Sequence, residues 1–298
     1  MQDPEDLEQD AAESPLPPPQ FGLDQLRLAL MGLAAIASVI LGWSLIQQAL
    51  RVEPQPSAAA TPAAVTPDQS RAEMAARAEM RQKIQTQLAQ SPDYMRFFDR
   101  LRLVYPTEYE TILDTFAKRA TSTGETDSID AMMSEAVRSL RLSHGVLAAK
   151  ASGPALEKIF SMQLSMMQAL STKDQRLCVD FLYGGASQAF YQFSSQNRSL
   201  VSNMALAGLE AISDGQTAKI ERVAPNDADF QVLEKALRDQ GLSTPEIEAL
   251  LDGKTADPPI TDARMCSVGQ IYLQTLAGLP EASRMRLYGL AVELMVRS

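Results

Sequence analysis

One stretch constrains this chain more than any other. Leu28 to Ile46 runs nineteen residues without a formal charge, between Arg27 and Arg51. A helix rises about 1.5 Å per residue, so the run is long enough to span a hydrocarbon core of about 30 Å. It reads as a single transmembrane helix over 27–50. An acidic region precedes it and the apolar run is long, which argues against a cleavable signal peptide. Pro56-Ser57-Ala58-Ala59-Ala60 nevertheless carries the small residues that a processing site uses. Within the span, Ala34, Ser38 and Gly42 repeat every fourth position. Such a stripe can let a second helix approach closely, in self-association or with a partner helix; small residues facing lipid are the plainer reading.

The rest of the chain divides around that segment. Residues 1–26 form an acidic tail too poor in apolar side chains to fold alone. Residues 51–70 form a Pro/Ala-rich linker with Pro54, Pro56, Pro62 and Pro67, a semi-rigid spacer. Residues 71–298 form the folded portion, and a polar tract at 214–227 would admit a sub-boundary. Net charge is −10, and residues 1–27 hold seven acids against Arg27 alone. Neither part offers the basic field that attracts nucleic acid or an anionic lipid surface, which disfavours nucleic acid as a partner.

Arg27 and Arg51 balance each other across the span, so the positive-inside rule does not orient it. The two cysteines, Cys178 and Cys266, both lie in the folded portion and form no CxxC motif. An even pair in an oxidising compartment reads as a disulfide; the alternative is two buried thiols in a cytosolic protein. The expected layout is a single-pass protein of a bacterial inner membrane with its C-terminal domain in the periplasm.

The folded portion reads as all-α. Apolar residues recur at spacings of three and four, as in Ile129, Met132, Met133, Ala136, Val137, Leu140 and Leu147. This predicts one helix over 128–150. Others are predicted at 71–90 (an exposed helix or stalk), 92–104, 107–120, from Gly153, at 173–183, 186–194, 198–213, 228–240, from Ser243 to Gly253, at 262–277 and from Pro280. Ser243-Thr-Pro-Glu246 has the form of a capping box. No run alternates as a strand does, and no solenoid repeat occurs.

Catalytic and metal motifs are weak. Gly185-Ala-Ser187-Gln-Ala189 approaches a nucleophile elbow, but its last glycine is replaced and no strand precedes it. His144 is the only histidine and is expected on the buried stripe, packed and hydrogen-bonded. One histidine and two distant cysteines make no metal cluster, so neither metal nor cofactor is expected. Gly253-Lys254-Thr255 reads as a helix stop rather than a phosphate loop. The carboxylate pairs Glu108/Glu110 and Asp127/Asp130 read as solvated or capping residues before acid–base groups. Asn197-Arg-Ser199 matches a glycosylation sequon. Met132, Met133, Met162, Met166 and Met167 read as core filling, or as an adaptable apolar groove.

The expected function is binding: a membrane-anchored periplasmic scaffold or envelope-assembly protein with a protein partner. The alternatives are an envelope hydrolase using Ser187 or a lone Glu, and a cytosol-facing tethered adaptor.

Overall fold

The structure, a computed structural model, describes residues 67–183 and 187–297. The expected transmembrane helix at 27–50, its Ala34/Ser38/Gly42 stripe and most of the linker lie outside those residues. Among the described residues no helix is long and apolar enough to cross a membrane.

The described chain is all-helical, without strands, and holds twelve α-helices. These are α1 (Pro67–Ala89), α2 (Pro92–Val104), α3 (Pro106–Thr123), α4 (Ile129–His144), α5 (Gly153–Ser171) and α6 (Gln175–Leu182). They continue as α7 (Gln188–Gln196), α8 (Arg198–Ala218), α9 (Asp227–Asp239), α10 (Thr244–Asp252), α11 (Asp262–Gly278) and α12 (Glu281–Arg297). A 3₁₀ turn, Gly145–Lys150, joins α4 to α5.

Local chemistry sets the boundaries. Prolines open α2, α3, α5 and α10, where the missing N–H is no loss. Tyr105 serves two helices: its N–H closes α2 on the Leu101 carbonyl at 2.8 Å, and its carbonyl receives the Tyr109 N–H of α3 at 3.0 Å. Gly124 ends α3 and Gly253 ends α10, both in the left-handed region that glycine enters without strain. Glu246 accepts from the Ser243 N–H at 2.8 Å, the backward half of the expected capping box.

The buried apolar residues, from Ile84 to Met295, form one connected cluster. Helix α8 lies at its centre, against α2, α5 and the 3₁₀ turn. α11 packs on α5 and α6, and α12 closes on the 3₁₀ turn and α5. The N-terminal half of α1 is exposed, as expected of a stalk, but Ile84 and Leu88 are buried. Arg81 reaches Glu110 and Asp114 on α3, so the second half of α1 belongs to the domain.

Two boundaries differ from expectation for one reason. The helix expected over 128–150 stops at His144, and that expected over 198–213 continues to Ala218. A side chain at Gly215 would strike the carbonyl of Leu147, and one at Gly145 would lie 2.8 Å from Val296 Cγ1. The 3₁₀ turn is therefore wedged between α8 and α12. Its three-residue period puts Gly145 and Ala148, both buried, on the same side. The glycine in 214–218 marks that close approach rather than a loop.

Candidate functional site

Cys178 on α6 and Cys266 near the start of α11 stand at disulfide distance, S–S 2.01 Å and Cα–Cα 5.6 Å, with both side chains buried. The bond closes a loop of 88 residues and ties α11 to the middle of the bundle.

The other residues singled out in the sequence are dispersed, each with a structural partner. Ser187 is the N-cap of α7 and accepts from the Phe190 N–H at 3.3 Å; Gly185 and Ala186 lie outside the described residues. His144 is half-buried rather than on the core stripe. α4 ends there, and the ring turns to Glu108 Oε1 at 2.6 Å and stacks on Tyr105 at 4.6 Å between centroids. Glu110 binds Arg81, and Asp127 binds Arg119 at 3.0 Å. Asp130 is gripped by Arg198 at 2.9 and 2.6 Å and by the Tyr94 hydroxyl at 2.8 Å. Those contacts hold its carboxyl below the ordinary range despite burial. Asn197 Nδ2 donates to the Phe193 carbonyl at 2.8 Å. Met132, Met133, Met166 and Met167 are buried in the core, while Met162 is half-buried. Among the described residues no three His, Cys, Asp or Glu side chains group as metal ligands.

The feature that sequence did not disclose is a cavity of about 550 Å³ where α4, α7, α8, α12 and the 3₁₀ turn converge. Its size falls in the range of small-molecule sites, which runs from about 300 to 1,000 Å³. α4 contributes Met133, Val137 and Leu140; α8 contributes Val201, Met204, Ala205, Gly208, Leu209 and Ile212. Small residues face it, Ala131, Ala205 and Gly208 among them. A Cβ at Gly208 would meet nothing within 4 Å.

Three polar side chains, each at least nine-tenths buried, line this apolar space. They are Arg141 (8% exposed), Gln163 (6%) and Ser194 (9%). Arg141 donates one guanidinium N–H to the Met295 carbonyl at 3.3 Å, and its Nε is unpartnered. Gln163 Nε2 donates to Met295 Sδ at 3.4 Å, and its Oε1 is unpartnered, as is Ser194 Oγ. Among the described residues no carboxylate pairs with Arg141. Burial lowers its affinity for the proton, helped by the like charge of Arg138, yet a guanidinium stays charged in proteins. A buried cation without a counter-charge is costly, and Arg141 sits one turn beyond Val137 on the apolar face of α4. That charge inside an apolar stripe was the one signal of the site in the sequence.

Comparison with protein-family models, with curated proteins and with solved structures returned no match.

Proposed function

We propose that this chain works by binding: a membrane-anchored helical domain, held outside the cytoplasm, that takes an apolar ligand or partner segment into the hollow between α4 and α8. The observation that carries this reading is the cavity itself. Most buried helical interiors fill to crystal-like density, whereas here half-buried Val137, Val201, Met204 and Ala205 border open space. An apolar hollow with a few convergent polar groups is the usual form of a ligand site.

The anchored, extracytoplasmic part of the proposal draws on the uncharged run Leu28–Ile46 and on the disulfide-distance pair, a bond rarely kept in a reducing cytosol. The hydrolase reading has less behind it, since Ser187 spends its hydroxyl on a helix cap and His144 stands on Glu108.

The test uses the full chain purified from membranes. Organic extraction followed by mass spectrometry should return an apolar molecule in near-stoichiometric amount, and Gly208→Phe should return none. Equal recovery from both proteins, or measured hydrolytic turnover lost in Ser187→Ala, would overturn the reading. A topology reporter fused after Ser298 should be active only outside the cytoplasm.

A further inference from the structure

The polar groups of the cavity narrow the class of ligand; this step rests on the cavity being a binding site. We propose that the occupant is a single-chain amphiphile with an anionic head, which pairs with Arg141 while its tail lies along α8.

Shape favours a chain over a folded segment. The lining stretch of α8 from Val201 to Ile212 is about 16 Å long at 1.5 Å per residue. A peptide helix of that length and about 10 Å wide would fill roughly 1,200 Å³. The cavity offers about 550 Å³. A slender tail suits the space along Gly208, Met204 and Val201, while the two lining carboxylates are already paired, Asp130 with Arg198 and Glu135 with Arg138.

Charge favours an anion at one end. Arg141, Gln163 and the Met295 carbonyl gather where α4, α5 and α12 meet. Arg141 keeps an unpartnered Nε, buried in an apolar wall. A guanidinium is suited to planar, bidentate capture of a carboxylate or phosphate oxygen pair. An anionic head would supply the counter-charge that the described residues do not. A neutral alcohol of the same chain length would leave the cation unpaired.

The experiment uses the full chain in phosphatidylcholine nanodiscs with a diazirine-bearing palmitate as photoprobe, and empty nanodiscs as reference. Cross-links should map to α4 and α8 peptides. Unlabelled palmitate or lysophosphatidate should compete at least about tenfold better than hexadecanol, the discrimination expected of a charge-assisted hydrogen bond. Whichever anion competes better identifies the head group as carboxylate or phosphate. Arg141→Gln should bring the acid-to-alcohol ratio near one, and Arg141→Lys should restore it, which separates lost charge from lost folding. Equal competition by hexadecanol in the unmodified protein would overturn the anionic assignment while leaving the cavity as a binding site. Absence of cross-links from α4 and α8 would overturn this inference, whereas the binding reading falls only if extraction also recovers equal amounts from the unmodified protein and Gly208→Phe.

Discussion

Arg141 on α4 donates to the main-chain carbonyl of Met295 on α12, a residue 154 positions away, at 3.3 Å. A full positive charge is thereby fixed by a neutral carbonyl in the apolar wall of a cavity. Such an arrangement stabilises poorly in the absence of an anion, so stability and binding should pull apart at this position. Arg141→Met, close in length and apolar, should raise the unfolding free energy of the ligand-free protein by about 1–3 kcal/mol, read as a higher denaturant midpoint, while removing preference for anionic amphiphiles. A lower midpoint would show that the contact with Met295 outweighs the buried charge.

The two glycines of α8 should respond in opposite directions. Gly208 faces open space, so Gly208→Ala should gain about 0.5–1 kcal/mol from reduced backbone entropy in the unfolded chain. Gly215 lies against the Leu147 carbonyl, so Gly215→Ala should cost about 1–3 kcal/mol or more through overpacking. Equilibrium unfolding of both variants measures the contrast, and a shared sign would contradict this packing of α8 on the 3₁₀ turn.

Two buried carboxylates set the acid limit. Asp229 is 2% exposed and accepts from Arg286 at 2.8 Å and from the Ser283 hydroxyl at 2.7 Å. The Arg286 guanidinium holds its carboxyl well below 3.8. Arg264, helped by Ser243, holds Glu246 at about 2 against an ordinary 4.5. Both release protons more readily in the folded protein. Their contribution is therefore complete above about pH 4.5 and is lost as pH falls through the folded values, for Glu246 between 4.5 and about 2. Unfolding midpoints measured from pH 7 downward should drop across that window, with a shallower slope in Asp229→Asn and Glu246→Gln. An unchanged slope in both would remove these two groups from the acid transition.

Reduction should weaken the domain substantially. The loop between Cys178 and Cys266 spans 88 residues, and in the chain-entropy model closing such a loop is worth about 4–5 kcal/mol. Unfolding with and without reductant measures it, and a Cys178→Ala/Cys266→Ala protein should match the reduced form. No difference between oxidised and reduced protein would mean the unfolded chain is already constrained in this region.

Helix and stop signals were legible because they are local. Proline at the first turn, glycine at the left-handed cap and the Ser243/Glu246 pair each act within a few residues, so the order of helices follows from reading along the chain. The cysteine pairing was legible for a different reason, since two cysteines allow one connectivity. The cavity was hidden because it is a property of facing surfaces. Gly208 and Ala205 look like ordinary helix residues until α4 lies opposite them, and Gly215 looks like a turn until Leu147 approaches it. His144 is packed and hydrogen-bonded as expected, on Tyr105 and Glu108, but it is half-buried rather than buried, because those partners come from the junction of α2 and α3 at the end of α4. Arg141 was visible as a charge on an apolar stripe, but its lack of an ionic partner depends on residues more than a hundred positions away.

The covalent loop from Cys178 to Cys266 encloses α7 and α8, two walls of the hollow, along with the exposed 219–226 connection, where Val223 is 81% accessible. A protease that cut the main chain there would not separate the pieces. The nicked polypeptide would migrate as one species until a reductant was added, and its helices would stay tethered within reach of their partners. Wherever an endopeptidase reaches that connection, the tie should make the domain tolerant of a break that an uncrosslinked bundle would not survive.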